Sequence, residues 1–278
     1  MSTDHVTGGK QLYDAISRVE TPPARRGHPT AAHRPVRWQR PTDLDEALAL
    51  VAAGGTAVGG AVALLSAALA PALGQVAVDL CEVLPAGLHG GAIGAGTTIA
   101  ELAADARVRR DWPAIAQAAS AMGTPQVRAA ATVGGTLGAR LPTSDLFAAL
   151  VAHDTVVSVR VAGGTVDMPI ADYLSDAPPI HLVLAVRPRL VAPGAHRRFA
   201  LRVGPSPAIA VVAGVRVAGH PRMYAGAVGP TAVPIPFSGT AAPGMDLLRS
   251  DTRASARYRH SLLAVLGSEV LGVLGGAA

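Results

Sequence analysis

Leu44, Ala47, Leu48 and Val51 recur at the three- and four-residue spacing of one helix face. They stand behind Pro41, behind Thr42 as a capping hydroxyl, and behind the acids Asp43, Asp45 and Glu46, which favour the positive end of a helix dipole. The pattern predicts a helix that stops at Gly54-Gly55. Next come a short apolar strand at 56–58, the pair Gly59-Gly60, a helical stretch at 61–70 and a strand at 76–80. Ala92-Ile93 turns through Gly94-Ala95-Gly96-Thr97-Thr98 into a helix at 99–106, where Thr98 and Glu101 have capping-box spacing. Helical spacing returns at 112–122 and at 145–152, the latter capped by Thr143 or Ser144, while 127–132 reads as a short strand leading to Gly134-Gly135. Two apolar runs at 156–161 and 166–168 around Gly163-Gly164 predict a hairpin. Beyond Pro178 the texture changes to longer β segments at 180–186, 199–203, 208–217 and 223–228, then helix at 253–274. The chain therefore divides into a leader without periodicity at 1–35, units at 36–90 and 91–175 with an α/β rhythm, and an α+β region at 176–278.

Residues 47–78 hold no charge, a run longer than the ~20 apolar residues that cross a bilayer. It is built of Ala and Gly, carries two glycine pairs and is broken by Pro71, so it reads as a buried β-turn-α unit with no membrane span. The N-terminus has no contiguous apolar core of a signal peptide, which makes the cytoplasm the expected compartment.

Half of the 278 residues are hydrophobic and 15% are charged, which argues against disorder. Cys81 is the only cysteine, so this chain alone cannot form a disulfide, a four-cysteine iron–sulfur cluster or a cysteine zinc site; Cys81 itself reads as a small buried residue. The net charge of +5 is almost all arginine, and aromatic residues are only 3%, too few for the stacking platforms of a single-strand binder, so no nucleic-acid partner is expected. Lys10 is the only lysine, and although Gly8-Gly9 precede it, Asp4 and Gln11 stand where a Walker-type phosphate loop needs Gly and Ser or Thr, which excludes that loop. His153, His181, His196, His220 and His260 lack metal-ligand spacing, and no Gly-x-Ser-x-Gly nucleophile turn occurs.

The remaining candidate chemistry lies in two glycine pairs. Gly59-Gly60 and Gly134-Gly135 each follow an expected strand and precede a helical stretch, where free N–H groups can cradle a diphosphate without a lysine; both are equally readable as tight turns. No Gly-x-Gly-x-x-Gly fingerprint is present.

Five segments, taken in order, resemble a known family: Arg40-Pro41-Thr42-Asp43-Leu44-Asp45-Glu46-Ala47-Leu48, Ile93-Gly94-Ala95-Gly96-Thr97-Thr98-Ile99-Ala100-Glu101-Leu102, Pro125-Gln126-Val127-Arg128, Ala131-Thr132-Val133-Gly134-Gly135 and Pro142-Thr143-Ser144-Asp145-Leu146. Together with Asp251-Thr252-Arg253-Ala254-Ser255-Ala256-Arg257-Tyr258-Arg259, they are similar to the FAD-binding medium subunit of molybdenum hydroxylases of the carbon monoxide dehydrogenase and xanthine dehydrogenase type. The resemblance implies an α+β fold, with two α/β FAD-binding subdomains of the molybdopterin dehydrogenase flavin-subunit type and a C-terminal antiparallel sheet with helices. It implies FAD as cofactor, its diphosphate on the backbone of Gly59, Gly60, Gly134 and Gly135, and its ribityl or nearby polar portion on Asp145, with Ala61, Val62, Arg128, Thr132, Thr136 and Ser144 at the flanking motif positions.

The implied partners are an iron–sulfur subunit and a molybdopterin subunit, with NAD, a quinone or oxygen as electron acceptor. The chain departs from the family at its loops: Ala61-Val62 stands where polar side chains are usual, Thr136 where Asn is usual, and Ala129 follows Arg128 in place of Asn. Those changes keep a backbone cradle and remove side-chain handles, and they leave open a stand-alone flavoenzyme acting on a small metabolite or a cofactor-free binding or assembly module.

Overall fold

The computed structural model describes residues 36–65, 74–202, 206–238 and 241–275. The leader expected at 1–35 lies outside them, as does 66–70 of the expected helix at 61–70, and residues 62–65 form a turn. Among the described residues the strands assemble into three sheets.

The first sheet is parallel, with β1 (Arg37–Gln39) and β2 (Thr56–Val58) on either side of β3 (Val76–Asp79). Helix α1 (Leu44–Ala52) connects β1 to β2 and buries Ala47 and Leu48 in one cluster with Val78 and Leu80. Its cap is Asp43, one residue later than expected: the Asp43 carboxylate accepts from the N–H groups of Asp45 and Glu46. Thr42 instead directs its N–H and hydroxyl to Glu46. The charge-free run thus breaks into the end of α1 and two strands, and no described helix is long and apolar enough to cross a membrane.

The second sheet is antiparallel throughout, in the order β4 (Leu88–His89), β5 (Ala92–Gly94), β8 (Leu182–Pro188), β6 (Thr155–Val161), β7 (Gly164–Pro169). The expected hairpin at 156–168 is β6 and β7, paired from Val161 opposite Gly164. Residues 90 and 175, where the sequence texture suggested divisions, both fall within the span of this sheet: Gly90 and Gly91 turn β4 into β5, and β8 pairs with β5 and β6. The change of texture beyond Pro178 records the end of helix alternation and not a change of sheet. In the third sheet, β9 (Gly194–Phe199), β10 (Ala210–Val217), β11 (His220–Gly226) and β12 (Ile235–Phe237) form an antiparallel array in the order β12-β11-β10-β9. Its first strand ends at Phe199, where the sequence pattern had placed a beginning.

Helices fill the space between. The expected helix at 99–106 is broken at Asp105, whose backbone is extended and whose carboxylate caps a new helix, giving α2 (Ile99–Ala104) and α3 (Ala106–Asp111). The Thr98–Glu101 capping box is present at the start of α2. After α4 (Pro113–Ala121) comes the clearest departure from the sequence pattern: the strand expected at 127–132 is helix α5 (Pro125–Ala130). The Thr124 hydroxyl accepts from the Val127 N–H and Pro125 occupies the first helical turn, two start signals that outweigh the β-branched Val127. Only Thr132 keeps a strand-like contact, a single bridge to Thr98. Helix α6 (Val133–Ala139) follows directly.

Helix α7 (Leu146–Ala152) is apolar on every side because every residue of it but the half-buried Val151 is buried. It contacts β6 of the second sheet, β10 and β11 of the third, and α4 and α8 (Ile170–Ser175), so its first residue starts deep in the molecule. Strand β10 sends Val211 and Ala213 to the cluster around α7 and Ala210 and Val212 to the opposite cluster, the two-residue period of a strand covered on both faces. That opposite face is covered by α9 (Ala256–Val273) through Leu263, Leu266, Val270 and Leu271. Arg259 on α9 is fully buried, donates to the carbonyl oxygens of Ile209 and Ala227, and lies 2.8 Å from an Asp251 carboxylate oxygen. Burial opposes the charge of Asp251, but the N–H groups of Arg253 and Ala254 and the Arg259 guanidinium hold its carboxyl down at about 2.

Candidate functional site

The two glycine pairs, 75 positions apart in sequence, meet at one hydroxyl. A Cβ built on Gly59 would stand 2.8 Å from Thr132 Oγ1, and one on Gly135 would stand 2.9 Å from the same oxygen. Gly60 is more constrained, since its Cβ would fall 1.5 Å from the carbonyl oxygen of Ala130 at the end of α5. Gly134 packs with equal need for smallness against Ala95, whose Cβ lies 2.8 Å from the position a side chain would take. Glycine at 60 and 134 is therefore required by the approach of two backbone segments, before any ligand is considered.

The N–H groups of the two pairs face different fates. At the start of α6, Val133 donates to Thr97 O, Gly134 to Ala95 O and Gly135 to Thr132 Oγ1, at 2.9, 2.8 and 3.0 Å. The first three N–H groups of that helix are thus satisfied within the chain, which differs from the open cradle expected there. The loop after β2 is the reverse: among the described residues no acceptor receives the N–H of Gly59, Gly60, Ala61 or Val62. Ala61 adopts a left-handed backbone with φ of 58°, a conformation that recurs in turns whose N–H groups bind anions. The loop is half-buried and holds donors without a countercharge, which fits a diphosphate.

Of the other expected residues, several have other work. Arg128 donates through Nη1 to the carbonyls of Met122 and Gly123, closing the turn before its own helix. The Thr136 hydroxyl donates to Thr132 O. Ala61 and Val62 supply no polar side chain. Thr132 Oγ1 accepts from Gly135 and lies beside Gly59 with its own proton uncommitted to any described acceptor. Cys81, expected to be buried, is exposed at the end of β3, with its thiol directed 3.8 Å to Gly59 O.

Ser144 and Asp145 open α7. Ser144 Oγ accepts the Leu146 N–H at 3.3 Å, as a capping hydroxyl would. Asp145 makes no capping bond; it is 5% exposed and its Oδ1 lies 2.7 Å from Arg198 Nε and 4.0 Å from His196 Nε2. Burial raises the Asp145 carboxyl to about 6 against the lowering effect of Arg198. Burial also drives His196 down to about 3, reinforced by Arg198 and Arg197, so the imidazole is neutral. Sequence reading missed these two partners. Their sole sequence signal is alternation in β9, which puts His196 and Arg198 on the face toward α7 and leaves Arg197 to reach Glu269 on α9.

This geometry can be set beside known proteins. The sequence profile described as "FAD binding domain in molybdopterin dehydrogenase" matches residues 34–187, from β1 through β8. The fold is similar to a chain of carbon monoxide dehydrogenase from Hydrogenophaga pseudoflava, a form that lacks the Mo-pyranopterin moiety of the molybdenum cofactor; the TM-score is 0.74 at 21% identity over 87% of this chain and 97% of that one. Quinoline 2-oxidoreductase from Pseudomonas putida 86 gives 0.71 at 17% identity over 86% and 98%. Reconstituted CO dehydrogenase from Oligotropha carboxidovorans gives 0.71 at 19% identity over 87% and 98%. No curated protein sequence matches the chain. The structural likenesses establish the fold, and the profile, which spans more than half of the chain and includes both glycine pairs, establishes that the chain belongs to the family of FAD binding domains in molybdopterin dehydrogenases and has FAD as its cofactor.

Proposed function

We propose that the chain is the flavin subunit of a multi-subunit molybdenum hydroxylase, holding FAD where electrons arrive from an iron–sulfur partner served by a molybdopterin subunit and leave to NAD, a quinone or oxygen. A bound flavin supplies the exchange between single-electron and paired-electron carriers. The observation that carries this reading is the set of four unengaged N–H groups at 59–62. In it, Gly59, Gly60, Ala61 and Val62 receive the diphosphate through their backbone, and the Thr132 hydroxyl adds one donor. Gly134, Gly135, Thr136 and Arg128 act one step back: their internal bonds hold Thr132 and the segment against which Gly60 packs. Ser144 and Asp145 serve the ribityl or flavin end, where Asp145 comes with Arg198 as an ion pair. The single cysteine means that every iron–sulfur cluster belongs to the partner.

Because the side chains at 61 and 62 are apolar, the backbone carries the diphosphate contact. One or two missing charged hydrogen bonds of about 1.5–3 kcal/mol each correspond to roughly a hundredfold weaker binding, so the expected purified protein holds less than one FAD per chain. A visible spectrum followed by FAD titration tests this. Flavin bands that rise to one equivalent on titration, and that bleach when an electron-donating iron–sulfur partner is added, are expected; a protein that takes up no FAD at any concentration refutes the reading.

A further inference from the structure

The two carboxyl oxygens of Asp145 face different surroundings. Oδ1 is shut off from solvent and looks toward β9, 2.7 Å from Arg198 Nε and 4.0 Å from His196 Nε2. The 7% of the side chain that stays exposed lies away from Oδ1, and Oδ2 accepts no hydrogen bond from any described residue. Arg198 is itself fixed, because its Nη2 donates to Ser206 O at 2.7 Å. Its Nε approaches Oδ1 without the alignment of a hydrogen bond, so what it gives Asp145 is charge. His196 adds none: its backbone N–H is on Gln117 Oε1, and its buried ring is neutral. No second charge reaches the carboxyl from the other elements around α7. Helix α4 has no ionisable residue, Arg160 of β6 is paired with Asp45, and Arg197 of β9 with Glu269. Arg216 of β10 and Arg222 of β11 are bound to the carbonyls of Leu274 and Ala152, Arg140 in the loop before α7 acts on Tyr173 and His181, and Asp172 of α8 and His220 of β11 are exposed.

We propose that Arg198 is a positioning residue for the polar chain of the flavin: lying behind Oδ1, it keeps the buried Asp145 carboxyl ionised and turned so that Oδ2 accepts a hydroxyl of that chain. The inference rests on the flavin reading above and goes beyond it, since Arg198 lies outside residues 34–187, the part of the chain that the family profile matches. A charged acceptor holds a hydroxyl about tenfold more tightly than a neutral one, so the protonation of Asp145 enters FAD affinity directly. Burial already raises that carboxyl to about 6 against the pull of Arg198, and without the guanidinium it would rise further. Arg198 therefore sets the pH below which the site weakens, although it need not touch the cofactor itself.

The test is FAD titration of the full-length protein, read by flavin fluorescence from pH 5 to pH 9, with circular dichroism confirming the fold at each pH. The parent should bind FAD about fivefold more weakly at pH 5 than at pH 8, the fall beginning near pH 6. Arg198→Gln should move that fall up by about 1–3 pH units. Arg198→Lys, which keeps the charge, should restore the parent profile, and Asp145→Asn should flatten it. A purely structural role of Arg198 would lower affinity equally at every pH without moving the profile, and that result overturns the proposal. A fall retained in Asp145→Asn overturns it as well, and this variant decides the matter if Arg198→Gln does not fold. No uptake of FAD by the parent at any pH refutes the flavin reading and this proposal together, whereas uptake with a profile indifferent to residue 198 refutes this proposal alone.

Discussion

Gly59-Gly60 and Gly134-Gly135 both lie against the Thr132 hydroxyl, and neither pair tolerates a side chain, yet among the described residues one leaves its N–H groups unengaged and the other commits them within the chain. The difference comes from what precedes each pair. Before Gly59 stands β2, an edge strand of a parallel sheet, and the chain leaves it through a left-handed residue into a turn, where no acceptor among the described residues receives the loop's N–H groups. Before Gly134 stands the short helix α5, which delivers the chain to the end of β5, where the carbonyls of Ala95 and Thr97 are waiting. Two identical dipeptides thus divide the labour: one pair forms the surface a diphosphate meets, and the other fixes the post against which that surface is built.

The comparison can be broken by separating stability from FAD affinity. The largest change should come from acid, because the groups whose protonation burial shifts most between pH 3 and 6.5 lie in the core beside the glycine pairs. His153 is lowered to about 4, by burial against the opposing hydrogen bond to Leu190 O, and His196 to about 3. Both contribute stability that is complete above the unfolded value of 6.5 and is lost as pH falls toward 3. Asp145, raised to about 6, works in the opposite sense: its contribution is complete below 3.8 and lost as pH rises through 6. The net expectation is a loss of roughly 5 kcal/mol between pH 6.5 and 3 in urea unfolding. FAD affinity per folded molecule should stay level from pH 6.5 to 8, and a steep slope there would place a titrating group in the diphosphate contact.

Gly60→Ala comes next. Its methyl would overlap Ala130 O, so the loop must move; about 3 kcal/mol of stability and more than a hundredfold in FAD affinity should go together. Gly134→Ala should cost about 2 kcal/mol through its clash with Ala95 while leaving FAD affinity within threefold. If affinity falls a hundredfold there as well, the two pairs do not differ in role. Thr132→Val removes the cap that receives the Gly135 N–H, for about 1 kcal/mol, and removes the hydroxyl toward Gly59, for about a tenfold loss of FAD affinity. Smallest, Ala61→Gly should raise the unfolding free energy by about 1 kcal/mol, because φ of 58° strains an L-residue and glycine adopts it freely. Any denaturant series resolves a change of that size.

Elements whose signals are local were legible. The Thr98–Glu101 capping box, the hairpin of β6 and β7 and the glycine turn after β2 each depend on residues a few positions apart. Helix α5 was misread because Val127 and Thr132 suggested a strand, whereas Thr124 and Pro125, immediately upstream, decide the matter. The engagement of the Gly134 and Gly135 N–H groups could not be read, since their acceptors include Ala95 and that contact is made only when β5 is in place. Asp145 carried the right address and an incomplete environment: its pairing with Arg198 spans two elements, α7 and β9, whose meeting depends on the burial of α7 on all sides.

Arg259 gives the third sheet a timetable. Its guanidinium ties the carbonyl before β10 to the carbonyl after β11, so one side chain on the last helix closes strands that precede it by dozens of residues. All four strands β9 to β12 are synthesised before Arg259 is, and until it arrives the face that α9 covers is bare. The two faces of that sheet are therefore sealed at different moments of synthesis: the side toward α7, with Asp145 and Arg198, first, and the side toward α9 last.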